Sequence, residues 1–219
     1  MAALIKAAGP CRIEPHPERG AFEALVRAIA HQQLHGIAAE RILARFVALF
    51  SDAQFPAPQQ VLAASDQQLR AVGFSRSKVA ALKDLAAKTI AAVVPGAAEL
   101  AQLSDGELIE RISTVRGVGR WTVEMLLIFQ LRRPDVLPVD DFGVRNGFRL
   151  AYGLKALPTP RALAEFGERW KPYRSTAAWY LWRAVDLARA QRLPPCPRPP
   201  RRLSTAARKR AAPARCARR

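Results

Sequence analysis

Two features of this 219-residue chain have residue types and spacing suited to chemistry. One is a glycine pair in Val115-Arg116-Gly117-Val118-Gly119-Arg120-Trp121-Thr122, and the other is the adjacent carboxylates Asp140 and Asp141 further along. Glycine tolerates φ > 0 and lets a backbone come close to a ligand. Amide N–H groups at a helix N-terminus bind anions. A turn of this kind can therefore hold a phosphate through its main chain, with no Cβ to keep the phosphate away. A carboxylate can stabilise a positive charge that develops in a reaction, and can orient or deprotonate a water. Each feature also has a plainer explanation. Glycines connect helices that bind nothing, and aspartates favour helix starts because of the dipole. Arg116 and Arg120, set in a basic chain, favour the phosphate.

The elements that must position these groups are helical nearly throughout. No stretch alternates convincingly at period two. Pro17 suits a first helical position, and Phe22, Leu25, Val26 and Ile29 then recur on one face, running toward His31-Gln32-Gln33-Leu34-His35-Gly36. Ile42, Leu43, Phe46, Val47 and Phe50 mark a second helix. A short helix over 61–64, a helix capped by Ser65 and closed at Gly73, and a longer one starting at Ser75 or Ser77 follow. Ser104 and Glu107 form a capping box for the helix that ends at the glycine turn. Further helices are expected from Trp121 to Leu131, from Pro138 or Asp140 through Leu150, from Thr159-Pro160 to Trp170, and from Pro172 onward. The last is rich in aromatics: Tyr173, Trp179, Tyr180 and Trp182. The fold expected is all-α, with about ten helices and no internal repeat.

The formal charge is +17; nine Lys/Arg and no acid follow Leu193, leaving +8 to the preceding body. Both parts favour a polyanion, DNA or RNA, as partner. The stretch 194–219 is Pro/Arg-rich, too poor in apolar surface to offset its ordering entropy, and reads as a disordered basic tail on a domain spanning 1–193. No apolar run is long enough for a membrane span, and the N-terminus is too short in apolar residues for a signal peptide. A cytoplasmic, nucleoid-associated monomer without membrane contact is therefore expected. Three scattered cysteines, Cys11, Cys196 and Cys216, supply neither a four-ligand metal site nor a disulfide framework.

A helix, a Gly-x-Gly turn and a second helix make a helix-hairpin-helix. The stretch from Ser104 to Gly147, with Arg116-Gly117-Val118-Gly119-Arg120-Trp121-Thr122 and Leu137-Pro138-Val139-Asp140-Asp141-Phe142-Gly143-Val144-Arg145, resembles the helix-hairpin-helix DNA glycosylase superfamily. Within it the chain is most similar to the 3-methyladenine DNA glycosylase II branch. Ile29-Ala30-His31-Gln32-Gln33-Leu34-His35 and Arg169-Trp170-Lys171-Pro172-Tyr173-Arg174-Ser175 add to the likeness, which covers roughly Phe22 to Leu187.

The resemblance implies a two-lobed helical core in which Asp141 is the catalytic carboxylate, with Asp140 left to cap the following helix. Gly117, Val118, Gly119, Arg120 and Thr122 would hold DNA phosphate. Gln33-Leu34-His35 would be the wedge that fills the gap left by a flipped base, His35 or Leu34 being the inserted residue; a polar helix end with Leu34 in the core is the alternative. Lyase members carry a nucleophilic lysine where this chain has Trp121, so the reaction implied is monofunctional hydrolysis. Trp121, Trp182 and Met125 would form the base pocket, with Trp179 or Tyr180 as neighbours. An electron-rich aromatic wall suits the positive charge of N3- or N7-alkylated purines, at about 0.5–2 kcal/mol per cation–π contact. Ordinary core packing is the alternative for each aromatic.

No cofactor is implied, and iron–sulfur ligation would need more than Cys196 and Cys216. A monovalent cation on the carbonyls of Ser113, Val115 and Val118 is a minor expectation. Arg116 departs from the proline usual in relatives, adding charge near the phosphate and loosening the turn. The small β-containing domain that precedes the core in some relatives has no room before Phe22. The partner implied is double-stranded DNA with alkylated bases. A non-enzymatic helix-hairpin-helix DNA-binding module would explain the glycines and the charge, but not the aspartate or the aromatic set.

Overall fold

In a computed structural model, residues 1–13, 19–34, 36–50 and 55–195 are described, and every regular element among them is helical. Pro17, His35 and the chain from Cys196 onward lie outside the described residues. None of the described helices is long and apolar enough to cross a membrane.

Two apolar cores organise the chain into two lobes. The first is built from α2 (Ala21–His31), α3 (Gly36–Ala48), α4 (Pro58–Ala63), α5 (Asp66–Ala71), α6 (Arg76–Ile90), α7 (Ala97–Gln102), α8 (Asp105–Ile112) and α9 (Arg120–Met125). Leu25, Val26 and Ile29 of α2 meet Phe46 of α3, Leu82 and Leu85 of α6, and Leu108 and Ile112 of α8. The apolar face expected for α2 is thus the buried one, with Phe22 at its margin. Ser65, Ser75 and Ser104 cap α5, α6 and α8, each accepting a backbone N–H three residues on, and Glu107 returns the bond to the Ser104 N–H at 2.8 Å.

The second lobe comprises α10 (Phe142–Ala151), α11 (Pro160–Gly167), a 3₁₀ turn (Glu168–Trp170) and α12 (Arg174–Arg189), with α1 (Ala2–Ala8) laid against α12. Val144, Phe148, Leu163, Phe166 and Leu181 form its core. Trp182 packs against both cores and so sits at the seam between the lobes. The helices α10 and α12 touch backbone to side at Gly147, where a Cβ would stand 1.8 Å from the Leu181 carbonyl oxygen.

The connection leading to Asp141 is pinned to the start of α12. Arg174 makes a two-pronged ion pair with Asp135, Nε to Oδ1 at 2.7 Å and Nη2 to Oδ2 at 2.9 Å. The buried Ser175 hydroxyl donates to the Arg133 carbonyl at 2.6 Å and accepts the Val136 N–H at 3.0 Å. Hydrogen bonding to Arg174, foremost among several causes, holds the Asp135 carboxyl below the usual carboxylate range.

Several boundaries differ from those expected. The helix read as Trp121 to Leu131 is α9 followed by a π-helical turn, Leu126–Gln130. The helix after Pro138 begins only at Phe142, and the last begins at Arg174 rather than Pro172. Neither α1 nor α7 was expected; both are short and lack a polar capping side chain.

Candidate active site

Asp141 closes the N-terminus of α10, its Oδ1 accepting the Val144 N–H at 2.6 Å. This corrects the expectation that Asp140 is the cap. Asp140 is exposed and lies in the preceding turn, and Asp141 has the extended backbone that turns its carboxylate onto the helix. The same carboxylate is held by two indoles. Trp182 Nε1 of α12 donates to Oδ1 at 2.9 Å, and Trp121 Nε1 of α9 donates to Oδ2 at 2.7 Å. Three elements from two lobes thus converge on one side chain. Gly143 makes the approach possible, because a Cβ there would stand 2.9 Å from Trp182 Cδ1 and 3.1 Å from Asp141 Oδ1.

Trp121 is 48 % exposed despite its size, so its ring faces open space instead of a core. It lines a cavity of about 580 Å³ with Ala28, His31, Gln32, Gln33, Gly117, Thr122 and Met125. A second cavity, of about 390 Å³, continues between α2 and the π turn and shares Ala28, His31, Thr122 and Met125 with the first. Together they form one groove whose mouth lies beside Asp141. Phe129, on the wall of the second cavity, stacks on Trp182 with ring centroids 5.7 Å apart. The π turn moves Phe129 out of ordinary helical register, as such turns often do at functional sites. Met125 is therefore placed with Trp121, and Trp182 stands behind Phe129. Trp179 and Tyr180 do not join them. Tyr180 is buried against α1 and donates its hydroxyl to the Gly9 carbonyl at 3.0 Å, while Trp179 packs edge-on against it.

At the hairpin, Gly117 has φ +75°, a conformation that favours glycine. Gly119 has an ordinary negative φ, and a Cβ there would meet nothing within 4 Å. Space in front of Gly119 is thus left open. Val118 is buried with its N–H on the Val115 carbonyl, and Thr122 is buried with its N–H on the Gly119 carbonyl. Among the described residues, the N–H groups of Gly119, Arg120 and Trp121 at the start of α9 have no backbone partner. Arg120 is fixed by Glu124, one turn on, at 2.9 Å. Glu124 is only 3 % exposed, and burial raises its carboxyl above the usual range although Arg120 pulls the other way.

Arg116 does not loosen the turn. Its backbone N–H, which a proline would lack, donates to Asp84 of α6 at 2.7 Å. Lys88, paired with Asp84, also donates to the Thr114 carbonyl. Burial alone would raise the Asp84 carboxyl, but the Arg116 N–H and the Lys88 ammonium outweigh it and hold the group below the usual range.

At the other side of the groove mouth, Gln33 adopts φ 57° and Leu34 is 40 % exposed, so Leu34 is not a core residue. Lys78 of α6 donates to the carbonyls of Ala30 and Gln32 at 2.8 and 2.9 Å, and the Gln32 amide donates to the Gly117 carbonyl at 2.9 Å. The helix α6 therefore anchors both turns, and Gln32 ties them to each other. None of Lys78, Asp84 or Phe129 stood out in the sequence, and Gln32 stood out only as part of a polar stretch, not for its tie to Gly117.

An all-helical two-lobed fold with a hairpin beside a groove and a carboxylate at the mouth defines a helix-hairpin-helix protein of the base-excision type. The chain belongs to the HhH-GPD superfamily of base excision DNA repair proteins, whose family model matches residues 26–172. It is 45 % identical over 167 residues to DNA-3-methyladenine glycosylase 1 of Schizosaccharomyces pombe, covering 76 % of this chain and 73 % of that one. The solved structure of the S. pombe 3-methyladenine DNA glycosylase Mag1 in complex with abasic DNA superposes with a TM-score of 0.75 at 42 % identity, over 85 % of this chain and 91 % of that one. A DNA-3-methyladenine glycosidase structure from Bacillus halodurans gives a TM-score of 0.77 at 30 % identity, over 87 % of each chain.

Proposed function

We infer that the protein is a monofunctional DNA glycosylase that flips alkylated purines such as 3-methyladenine out of duplex DNA and hydrolyses their N-glycosidic bond, the first step of base excision repair. The observation that carries this reading is the Asp141 carboxylate, clamped by two indole N–H groups at the mouth of an aromatic-walled groove, in a chain so similar to proteins of that name.

The free N–H groups of Gly119, Arg120 and Trp121 take a phosphate beside the lesion, and Arg120, steadied by Glu124, adds charge. Leu34 enters the stack as the wedge, on a turn held by Lys78 and Gln32. The extruded base lies along Trp121 and Met125, where its positive charge is met by aromatic faces. As the C1′–N bond breaks, its electron pair leaves with the base and the sugar becomes cationic. Asp141 stabilises that cation and orients a water, whose oxygen bonds to C1′ while its proton passes to the carboxylate or to solvent. An indole offers no amine to attack C1′, so no covalent sugar adduct forms at Trp121.

The carbonyls of Ser113, Val115 and Val118 would be the residues to hold a monovalent cation, being neutral oxygens on one turn, and such an ion would supply positive charge for the phosphate. The basic tail after Leu193 adds salt-dependent affinity for DNA. We place the protein on the nucleoid as a monomer.

The test is chromatography of the bases released from methylated duplex DNA. Free 3-methyladenine is expected, with no adduct trapped by borohydride. Binding without release of any base would favour the non-enzymatic module, and a trapped adduct would favour a lyase.

The hairpin makes its own prediction. Gly119→Ala should leave Tm within a degree or so, because its Cβ meets open space in the free protein. It should weaken duplex DNA binding about tenfold, the scale of one hydrogen bond to a charged group. Fluorescence anisotropy at fixed salt reads the loss, and unchanged affinity would remove Gly119 from the phosphate site.

A further inference from the structure

His31 stands on the wall of both parts of the groove, and its role is not explained by the wedge, the hairpin or Asp141. It is the last residue of α2 and half-exposed, and its Nε2 lies 3.0 Å from Glu40 Oε1 of α3. Glu40 lines only the second cavity, with Arg19, Arg27 and Gln130. Arg27 reaches Glu40 only at 3.9 Å and pairs mainly with Glu23, at 2.8 Å, which Arg19 also approaches at 3.5 Å. The carboxylate of Glu40 is therefore committed first to the imidazole.

A carboxylate can only accept a hydrogen bond, so Nε2 carries the hydrogen, and the tautomer with its hydrogen there has its lone pair on Nδ1. Nδ1 has no hydrogen-bond partner among the described residues. The other residues that both cavities share with His31 are Ala28, Met125 and Thr122, mostly apolar. A single acceptor on an apolar wall fixes the orientation of a bound ring. We propose that His31, held in one tautomer by Glu40, is a specificity residue that accepts a hydrogen bond from the exocyclic amine of a flipped adenine-type base. A guanine-type base presents a carbonyl oxygen at the corresponding edge, and two lone pairs would then face each other. Glu40 also places a negative charge near a cationic lesion. The proposal rests on the glycosylase reading and sharpens its substrate class.

Duplex DNA carrying both 3-methyladenine and 7-methylguanine separates the possibilities in one reaction. The wild-type chain is expected to release 3-methyladenine faster. His31→Phe should slow that release about tenfold while 7-methylguanine release stays within about twofold, the range expected for one lost hydrogen bond. His31→Gln, whose side-chain oxygen can still accept, should recover much of the difference. Glu40→Gln should move the ratio in the same direction as His31→Phe by a smaller factor. A parallel fall of both bases, or a ratio unmoved by His31→Phe, overturns the assignment of His31 and leaves the glycosylase reading standing. Release of neither base by the wild type overturns that reading, and this one with it.

Discussion

Asp141→Asn is expected to lower the rate of base release by on the order of 10²–10⁴-fold, the range for losing a positioned charge-stabilising or proton-transferring group. Duplex binding and Tm should be nearly unchanged. The substitution is informative because Asp141 has two jobs. It caps α10 through Val144, and it faces the groove mouth between Trp121 and Trp182. Asparagine is as good a cap as aspartate, so the helix start survives. What it cannot do is carry a negative charge, and its NH₂ must face one of three N–H donors. Asp141→Ala, by contrast, should also cost about 1 kcal/mol of stability through the lost cap. Asp140→Asn serves as the control, since Asp140 is exposed and does not cap α10. Single-turnover release from methylated DNA, alongside thermal melts, gives both readings. Full activity in Asp141→Asn would end the catalytic assignment and leave a helix cap.

That double role explains where the sequence was readable and where it misled. Both aspartates satisfy the rule for a helix start, and a one-residue shift separates cap from neighbour. The helix begins at Phe142, later than Pro138 and Asp140 suggested, so the cap and the carboxylate proposed for catalysis are the same side chain. Features set by neighbours three residues apart were legible, such as the Ser104–Glu107 box and the Ser65 cap. The glycine pair was legible as a turn, but its two members differ. Gly117 is required by its positive φ, whereas a Cβ at Gly119 would meet nothing within 4 Å. Trp179 and Tyr180 were drawn toward the pocket because the face they occupy is covered by α1, a helix with too weak a signature to foresee. Phe129 was hidden by the π turn, which breaks the period from which its face would be read. The ties from Lys78 to α2, from Asp84 to Arg116, and from Gln32 to Gly117 join residues far apart in sequence, and no local pattern announces them.

The seam between α10 and α12 carries the largest expected effect on stability. Gly147→Ala should destabilise the protein by about 3 kcal/mol or more, at the upper end of overpacking costs, and lower Tm by roughly 10 °C for a domain of this size. The reason is contact with main chain. The new methyl would stand 1.8 Å from the Leu181 carbonyl oxygen, and a backbone carbonyl in mid-helix cannot rotate away as a side chain could. The two helices must separate instead. Asp141 caps one of them and Trp182, next to Leu181, rides on the other, so separation lengthens the 2.9 Å bond between indole and carboxylate. Base release measured well below the lowered Tm should therefore fall as well, by about tenfold, the scale of one charge-assisted hydrogen bond. Gly106→Ala is the contrasting variant. It lies inside α8 where a Cβ meets only the Ser104 hydroxyl at 4.0 Å, and helix propensity favours alanine there by roughly 1 kcal/mol. If Gly147→Ala melted with the wild type, the helices would have to be farther apart than in this structure. If it lost stability yet kept full activity at low temperature, the Trp182 bond would be dispensable for catalysis, and Trp121 with the Val144 N–H would be left to hold Asp141 in place.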